Sequence, residues 1–256
     1  MLPLAIAIAA VFGAAVGSFV NVVAYRVPLG RSVINPPSAC PRCGQPISAR
    51  YNIPIAGWLI LRGRCHDCGQ QISVRYPVVE LAGALLFAAT TVVVGVNRLL
   101  PAHLWFVAVG LALILTDFDH KRIPNRILYP GTAVASVLLA AGALFEGRRA
   151  SLLTALVGAS AYFGALFLLA LIARGGFGFG DVKLAFLLGL FAGFRSLQTV
   201  ATAAFFAFAI GGTVAIVLLA ARRRGRKDEL PFGPSMVVGC WLAITFTPQV
   251  LGWYLN

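Results

Sequence analysis

Charge is what this chain has least of. Asp, Glu, Lys and Arg make up 11% of its 256 residues, against 59% for apolar types. That balance excludes an ordinary soluble domain, in which about a quarter of the residues are charged, and fits a chain that crosses a membrane repeatedly. Acids are scarcest of all, eight against 21 lysines and arginines. A net charge of +13 would suit a nucleic-acid binder. The basic residues are scattered through loops between apolar runs, however, so no nucleic-acid partner is expected. Also absent is a basic stretch ahead of the first apolar run, where Met1-Leu2-Pro3-Leu4 stands and the first positive side chain is Arg26. The start is therefore expected not to be a cleaved secretion signal. No strand-associated G-x-G-x-x-G occurs, which argues against a Rossmann-type cofactor domain.

What the chain does have is apolar length. Eight runs can be drawn, at 3–25, 77–96, 99–116, 127–145, 152–173, 182–194, 197–221 and 235–255. A bilayer takes about 20 apolar residues to cross, and a lipid-facing backbone must satisfy its own hydrogen bonds, so each run reads as helix. The expected fold is an all-α polytopic membrane protein of eight transmembrane helices. Three parts are expected: a first helix at 1–25, a small cysteine module at 26–76 and a seven-helix membrane domain at 77–256. With this alternation, 17 of the 21 basic residues fall in loops on the side of segment 26–76 and four on the other. The positive-inside rule then makes that side cytosolic and the N-terminus external.

Segment 26–76 is too long for a plain connector, and it repeats itself. Cys40-Pro41-Arg42-Cys43-Gly44-Gln45-Pro46-Ile47-Ser48 is echoed by Cys65-His66-Asp67-Cys68-Gly69-Gln70-Gln71-Ile72-Ser73. Two residues between thiolates let both reach one tetrahedral ion, and the glycine allows the tight turn that follows. So small a segment has little core of its own and gains from a metal staple. Structural Zn2+ held by Cys40, Cys43, Cys65 and Cys68 is the expectation. The rival, a pair of disulfides, suits a cytosolic placement poorly. Four thiolates leave no open coordination position, so the site is structural and not catalytic. His66 and Asp67 read as turn residues, and Cys240 as a buried apolar thiol.

The chemistry lies elsewhere. Arg174-Gly175-Gly176-Phe177-Gly178-Phe179-Gly180-Asp181-Val182-Lys183 puts four glycines in six residues, then a carboxylate and an ammonium, between two long apolar runs. A carboxylate at the edge of a hydrocarbon-length segment is costly without a partner or a task. Asp117, at the end of run 99–116, is its counterpart. The run after Asp181 spans 13 residues, about 20 Å of helix, short of a hydrocarbon core about 30 Å thick, so Asp181 is expected near the hydrocarbon boundary. Asp117 and Asp181 are therefore expected to meet as an aspartyl dyad. Two close carboxylates share one proton, so that one activates water while the other protonates a scissile carbonyl oxygen. Asp181, ahead of a helix N-terminus, is the expected base, and Asp117, at a helix C-terminal end, the proton holder. Gly17 and Ser18 allow close packing, and Asn21 needs a partner at depth. These three either pack the first helix, with Arg26 reaching for the interface, or help present substrate. Glu80 either pairs with Arg75 or contributes to the site. Asp119, His120, Lys121 and Arg122 read as a solvated turn.

These residues together resemble one family, the type IV prepilin peptidases, which are inner-membrane aspartyl proteases. The resemblance runs over essentially the whole chain. It rests on Gly17-Ser18-Phe19, Asn21, Tyr25-Arg26 and Pro28, on the paired Cys-x-x-Cys loop, on Asp117 seven residues before Pro124, and on Gly178-Phe179-Gly180-Asp181-Val182-Lys183. It implies that Asp117 and Asp181 are the catalytic pair, supported by Gly178, Gly180 and Lys183. The implied substrates are precursors of type IV pilins or type II secretion pseudopilins, cut on the cytosolic side after a basic leader. It implies a bacterial inner-membrane location. Members with such a cysteine loop often also methylate the new N-terminus, using S-adenosylmethionine, and this activity rests on the resemblance alone. Two other readings compete. A proton-relaying transporter would place its acids near mid-bilayer. A membrane anchor displaying a zinc module leaves both acids unexplained.

Overall fold

In a computed structural model of the chain, residues 1–172, 178–221 and 230–254 are described, with side chains as far as 247. Residues 173–177 of the glycine-rich stretch and the basic run 222–229 lie outside the described residues. Nine α-helices are described: α1 (Leu2–Arg26), α2 (Ala56–Ile60), α3 (Arg75–Val94), α4 (Leu100–His120), α5 (Asn125–Phe145), α6 (Arg149–Ile172), α7 (Phe179–Arg195), α8 (Leu197–Ala220) and α9 (Gly233–Tyr254). The only β structure among the described residues is two isolated bridges. The protein is all-helical.

Six helices, α1, α3, α4, α5, α6 and α8, are long and apolar enough to cross a membrane, which makes this a multi-pass membrane protein. The expected count was eight. The two outside this set are α7, with 17 residues, and α9, a 22-residue helix whose side chains are described only as far as residue 247. The sequence expectation also started α7 too late. Phe179, Gly180 and Asp181 form its first turn, so Asp181 lies inside the helix and not ahead of it. At about 1.5 Å per residue α7 is still only about 25 Å long. Its surroundings explain how so short a helix is accommodated. Val182, Leu184, Ala185, Leu187, Leu188 and every residue from Gly189 to Phe194 are buried, so protein and not lipid covers most of its surface.

The chain forms two compact units, Met1–Leu115 and Thr116–Asn256. In the first, α1 and α3 meet backbone to backbone. Gly13 and Gly83 face each other with no room for a Cβ on either, and a Cβ on Gly17 would lie 2.7 Å from the carbonyl oxygen of Val79 and 2.9 Å from Cα of Glu80. Asn21 finds its partner at depth one turn back, on the carbonyl of Gly17 at 3.3 Å. Between these helices the cysteine segment folds around α2.

In the second unit α6 and α7 make the same kind of contact. Cβ atoms built on Gly158 and Gly193 would lie 2.7 Å and 2.9 Å from the other's Cα. Small residues at such contacts let dispersion hold helices that lipid does not drive together. Cys240, fully buried in α9, points its thiol at the Leu188 carbonyl of α7, 3.4 Å away.

Candidate active site and candidate metal centre

Asp117 lies in the last turn of α4 and is 5% exposed. The helix ends where Lys121 takes a left-handed conformation, φ 49°, with its N–H on the Asp117 carbonyl at 2.8 Å. The side chain is held by a distant element. Its Oδ2 accepts the backbone N–H of Gly233, the first residue of α9, at 3.0 Å. A Cβ at Gly233 would sit 2.8 Å from that same oxygen, so only glycine lets the helix end approach this closely.

Asp181 is the third residue of α7 and half-buried. Its N–H closes the first turn on the Gly178 carbonyl at 3.0 Å, and its Oδ2 lies 3.3 Å from where a Gly178 Cβ would be. The acid thus sits among the free N–H groups of a helix N-terminus, which favour negative charge. The expectation that Asp181 alone enjoys this field is corrected here. Asp117 is near the C-terminal end of its own helix, yet it touches the N-terminus of α9. One helix N-terminus serves each acid.

The two acids share a locality. The charge on Asp117 acts on Asp181, and Ile123 lies between their supports. A Cβ at Gly180 would be 3.1 Å from Ile123 Cβ, and one at Gly233 would be 3.4 Å from Ile123 Cδ1. Lys183, two residues past Asp181 and so about 200° round the helix, is turned elsewhere. Its ammonium donates to Asn125 Oδ1 at 3.2 Å and lies over the rings of Phe179 and Tyr129, 4.9 Å and 5.7 Å from their centroids. Asp119 and His120 are exposed. Sequence reasoning missed Gly233 and Ile123. The one local signal near Gly233 is Pro231-Phe232-Gly233-Pro234, which marks a helix start, and nothing local links a residue to another 116 positions away.

The cysteine repeat folds as two matching turns. Gly44 donates to the Cys40 carbonyl at 2.9 Å and Gly69 to the Cys65 carbonyl at 3.0 Å, with φ of 71° and 68° at the two glycines. Arg42 of one turn donates to the Gln70 side chain of the other at 2.7 Å. The thiols of Cys40, Cys43, Cys65 and Cys68 lie within 4.8 Å of one another, and none is in a disulfide. Cys40 Sγ and Cys68 Sγ are 3.8 Å apart, close to the edge of a tetrahedron with metal–sulfur bonds of about 2.3 Å. Backbone N–H groups of Cys43 and then Arg42 hold the Cys40 thiol down to about 6, a thiolate suited to a cation. This donor set can hold a metal ion. His66 pairs with its neighbour Asp67 at 3.1 Å and stacks on Tyr51.

Glu80, 6% exposed in α3, accepts the N–H of Ile55 at 2.6 Å. Ile55 adopts φ 63°, ψ −54°, and the Ala56 N–H returns to the Pro54 carbonyl at 2.6 Å. That is a γ-turn of the rare, strained hand. The buried acid therefore fastens the cysteine segment to α3 at a strained point.

Two family models match the chain: the bacterial peptidase A24 N-terminal domain over residues 11–94 and the type IV leader peptidase family over residues 104–217. The first covers all four clustered cysteines and Glu80, the second both acids. Among similar proteins are prepilin leader peptidase/N-methyltransferases. That of Bacillus subtilis is 33% identical over 96% of each chain. That of Aeromonas hydrophila is 32% identical over 96% of this chain and 92% of its own. That of Neisseria gonorrhoeae is 32% identical over 99% and 96%. No solved structure is a significant match.

Proposed function

Because the chain belongs to the type IV leader peptidase family, we propose that it is a membrane aspartyl endopeptidase. It removes the basic leader from type IV prepilin or type II secretion pseudopilin precursors and methylates the new N-terminus. The observation that carries the proteolytic reading is the pair Asp117 and Asp181, in one compact unit and within reach of each other's charge, each against a helix N-terminus. Among the described residues neither acid is ion-paired with a lysine or arginine, and two such acids without a task would be costly to keep at this depth.

Asp117 and Asp181 hold one proton between them, since two adjacent carboxylates do not ionise together. The ionised acid takes a proton from water as the water oxygen attacks the scissile carbonyl carbon. The protonated acid gives its proton to the carbonyl oxygen, forming a tetrahedral diol. Collapse of the diol breaks the C–N bond, the departing amine takes up a proton, and the pair returns to its starting state. With a helix N-terminus at each acid, the helix field no longer favours Asp181 alone as base, and the dyad titrates as a unit. Glycine at 178 leaves room for the Asp181 carboxylate and glycine at 180 for Ile123. Lys183, held by Asn125 and two rings, leaves the acids free of an ion pair from its own helix.

Zn2+ fits the four thiolates of Cys40, Cys43, Cys65 and Cys68, and would act as a structural staple for a segment with little core. For S-adenosylmethionine, the described residues offer neither a sheet nor a glycine-rich strand–helix turn. With α7 and α9 counted as spans beside the six long helices, the reading is that the N-terminus lies in the periplasm and the acids at the cytosolic face of the bacterial inner membrane; the 17-to-4 division of basic residues supports it. In functional terms 1–25 is the first span, 26–76 the metal module and 77–256 the protease domain.

The test is direct. The purified protein in liposomes is given a leader-bearing pilin precursor together with S-adenosylmethionine, and the product is weighed by mass spectrometry. Loss of the leader and gain of one methyl group is the expected result. An intact precursor would contradict the peptidase reading, and a cleaved but unmethylated product the second activity.

A further inference from the structure

We propose that Ile123 is a positioning residue: its side chain is the wedge that sets the spacing between the helix N-termini supporting Asp117 and Asp181. This inference rests on the acid-pair reading of the site. It begins at the end of α4, where Lys121 adopts φ 49°. A left-handed residue ends the helix abruptly and reverses the chain. The reversal carries Ile123, half-buried, into the notch between α7 and α9. Pro124 then fixes the exit, as the residue before α5, with φ −68° and ψ 125°.

The two walls of the notch are glycines, Gly180 of α7 and Gly233 of α9. A Cβ at Gly180 would meet Ile123 Cβ, Cγ1 and Cδ1 at 3.1, 3.5 and 3.6 Å, and one at Gly233 would meet Ile123 Cδ1 at 3.4 Å. So the inner carbons of the isoleucine bear on the Asp181 side and its terminal methyl on both. A β-branched residue holds one χ1 rotamer better than an unbranched one, which suits a spacer. Gly180 immediately precedes Asp181, and Gly233 donates to Asp117. A change in the width of the wedge therefore moves both acids relative to each other. Neither carboxylate need contact the wedge itself.

Among the described residues, few other charged groups are near the pair. Asp119 and His120 of α4 are exposed. Lys183 of α7 is engaged by Asn125, and Cys240 of α9 by the Leu188 carbonyl. Tyr162 of α6, 3% exposed, lies within reach of the Asp181 charge. The separation of the two acids is thus the main variable that a wedge substitution changes. Their apparent titrations depend on that separation.

The experiment measures kcat, KM and the pH–rate profile on a pilin precursor for wild type, Ile123→Val, Ile123→Ala and, as a packing control, Leu128→Ala. Leu128 is fully buried in α5, and the atoms nearest the notch glycines belong to Ile123 and Asp117 instead. Ile123→Val keeps the two nearest carbons facing Gly180 and the β-branch, and loses only the terminal methyl, which bears on both glycines, so it should lose less than alanine. Ile123→Ala keeps only Cβ against Gly180 and loses every carbon that reaches towards Gly233. Its kcat should fall about 10- to 100-fold with KM nearly unchanged, and the two limbs of its pH profile should move relative to each other. Leu128→Ala should lower the melting temperature and leave the shape of the profile as in wild type. An Ile123→Ala enzyme with wild-type kcat and a superimposable profile would overturn the wedge. So would a Leu128→Ala profile that shifts in the same way. If Asp117→Asn and Asp181→Asn both cut normally, it is the acid-pair reading that has failed.

Discussion

The N–H of Gly233 donates to Oδ2 of Asp117 at 3.0 Å, joining the start of α9 to the end of α4 across 116 residues of sequence. The contact combines a directed hydrogen bond, a helix N-terminus and an approach that only glycine permits. Replacing Gly233 by alanine keeps the donor but adds a carbon 2.8 Å from the carboxylate oxygen, so the acid must move. Gly233→Ala should lower kcat on a pilin precursor by about 100-fold, the cost of displacing a catalytic group by about 1 Å, with precursor binding retained. Wild-type turnover would mean that this contact is incidental.

The cysteine cluster yields a prediction about metal. Preparations should contain one zinc per chain. Replacing any one of Cys40, Cys43, Cys65 or Cys68 by serine should abolish tight retention, since a four-thiolate site tolerates a missing ligand poorly. Chelator treatment should then raise the reactivity of the remaining thiols and the protease sensitivity of segment 26–76. Metal analysis with thiol titration checks both. A metal-free preparation with the segment still protected would refute a staple.

Glu80 offers a double-mutant test. Glu80→Ala strands the Ile55 N–H and should cost about 1–3 kcal/mol locally, read as faster hydrogen exchange in segment 53–60. Ile55→Gly removes the strain of a left-handed isoleucine and should restore part of that protection in the Glu80→Ala background. Glu80→Gln, whose amide oxygen still accepts, should behave almost as wild type. If Ile55→Gly makes the Glu80→Ala exchange faster still, the strained latch is wrong.

The orientation is checked by labelling. In intact cells an impermeant thiol reagent should fail to reach exposed Cys43, and should modify a cysteine placed at Arg148. The reverse pattern would invert the topology.

Much of this was legible in the sequence, for physical reasons that also mark where it stopped. Apolar length and composition are properties of a local window, so helices α1 and α3–α6 could be read directly. The repeated Cys-x-x-Cys-Gly turns are local too, and their thiols converge as the spacing required. Asp117 and Asp181 stood out because acids are so rare here. What could not be read is what depends on packing between remote segments. The first turn of α7 was missed because the glycines before Asp181 argue against helix on propensity, whereas in the fold they permit close approach to Ile123. The shortness of α7 makes sense only once its burial is known. The hydrogen bond from Gly233 leaves no trace in any window that includes Asp117.

The central claim is that Asp117 and Asp181 perform the cut together. The measurement is the initial cleavage rate of a leader-bearing pilin precursor in liposomes by wild type, Asp117→Asn and Asp181→Asn, each shown to be folded by its melting profile. The account predicts that both variants lose cleavage by at least about 10³-fold while remaining folded, and that the wild type shows a bell-shaped pH dependence. Cutting at the wild-type rate by either folded variant would contradict it.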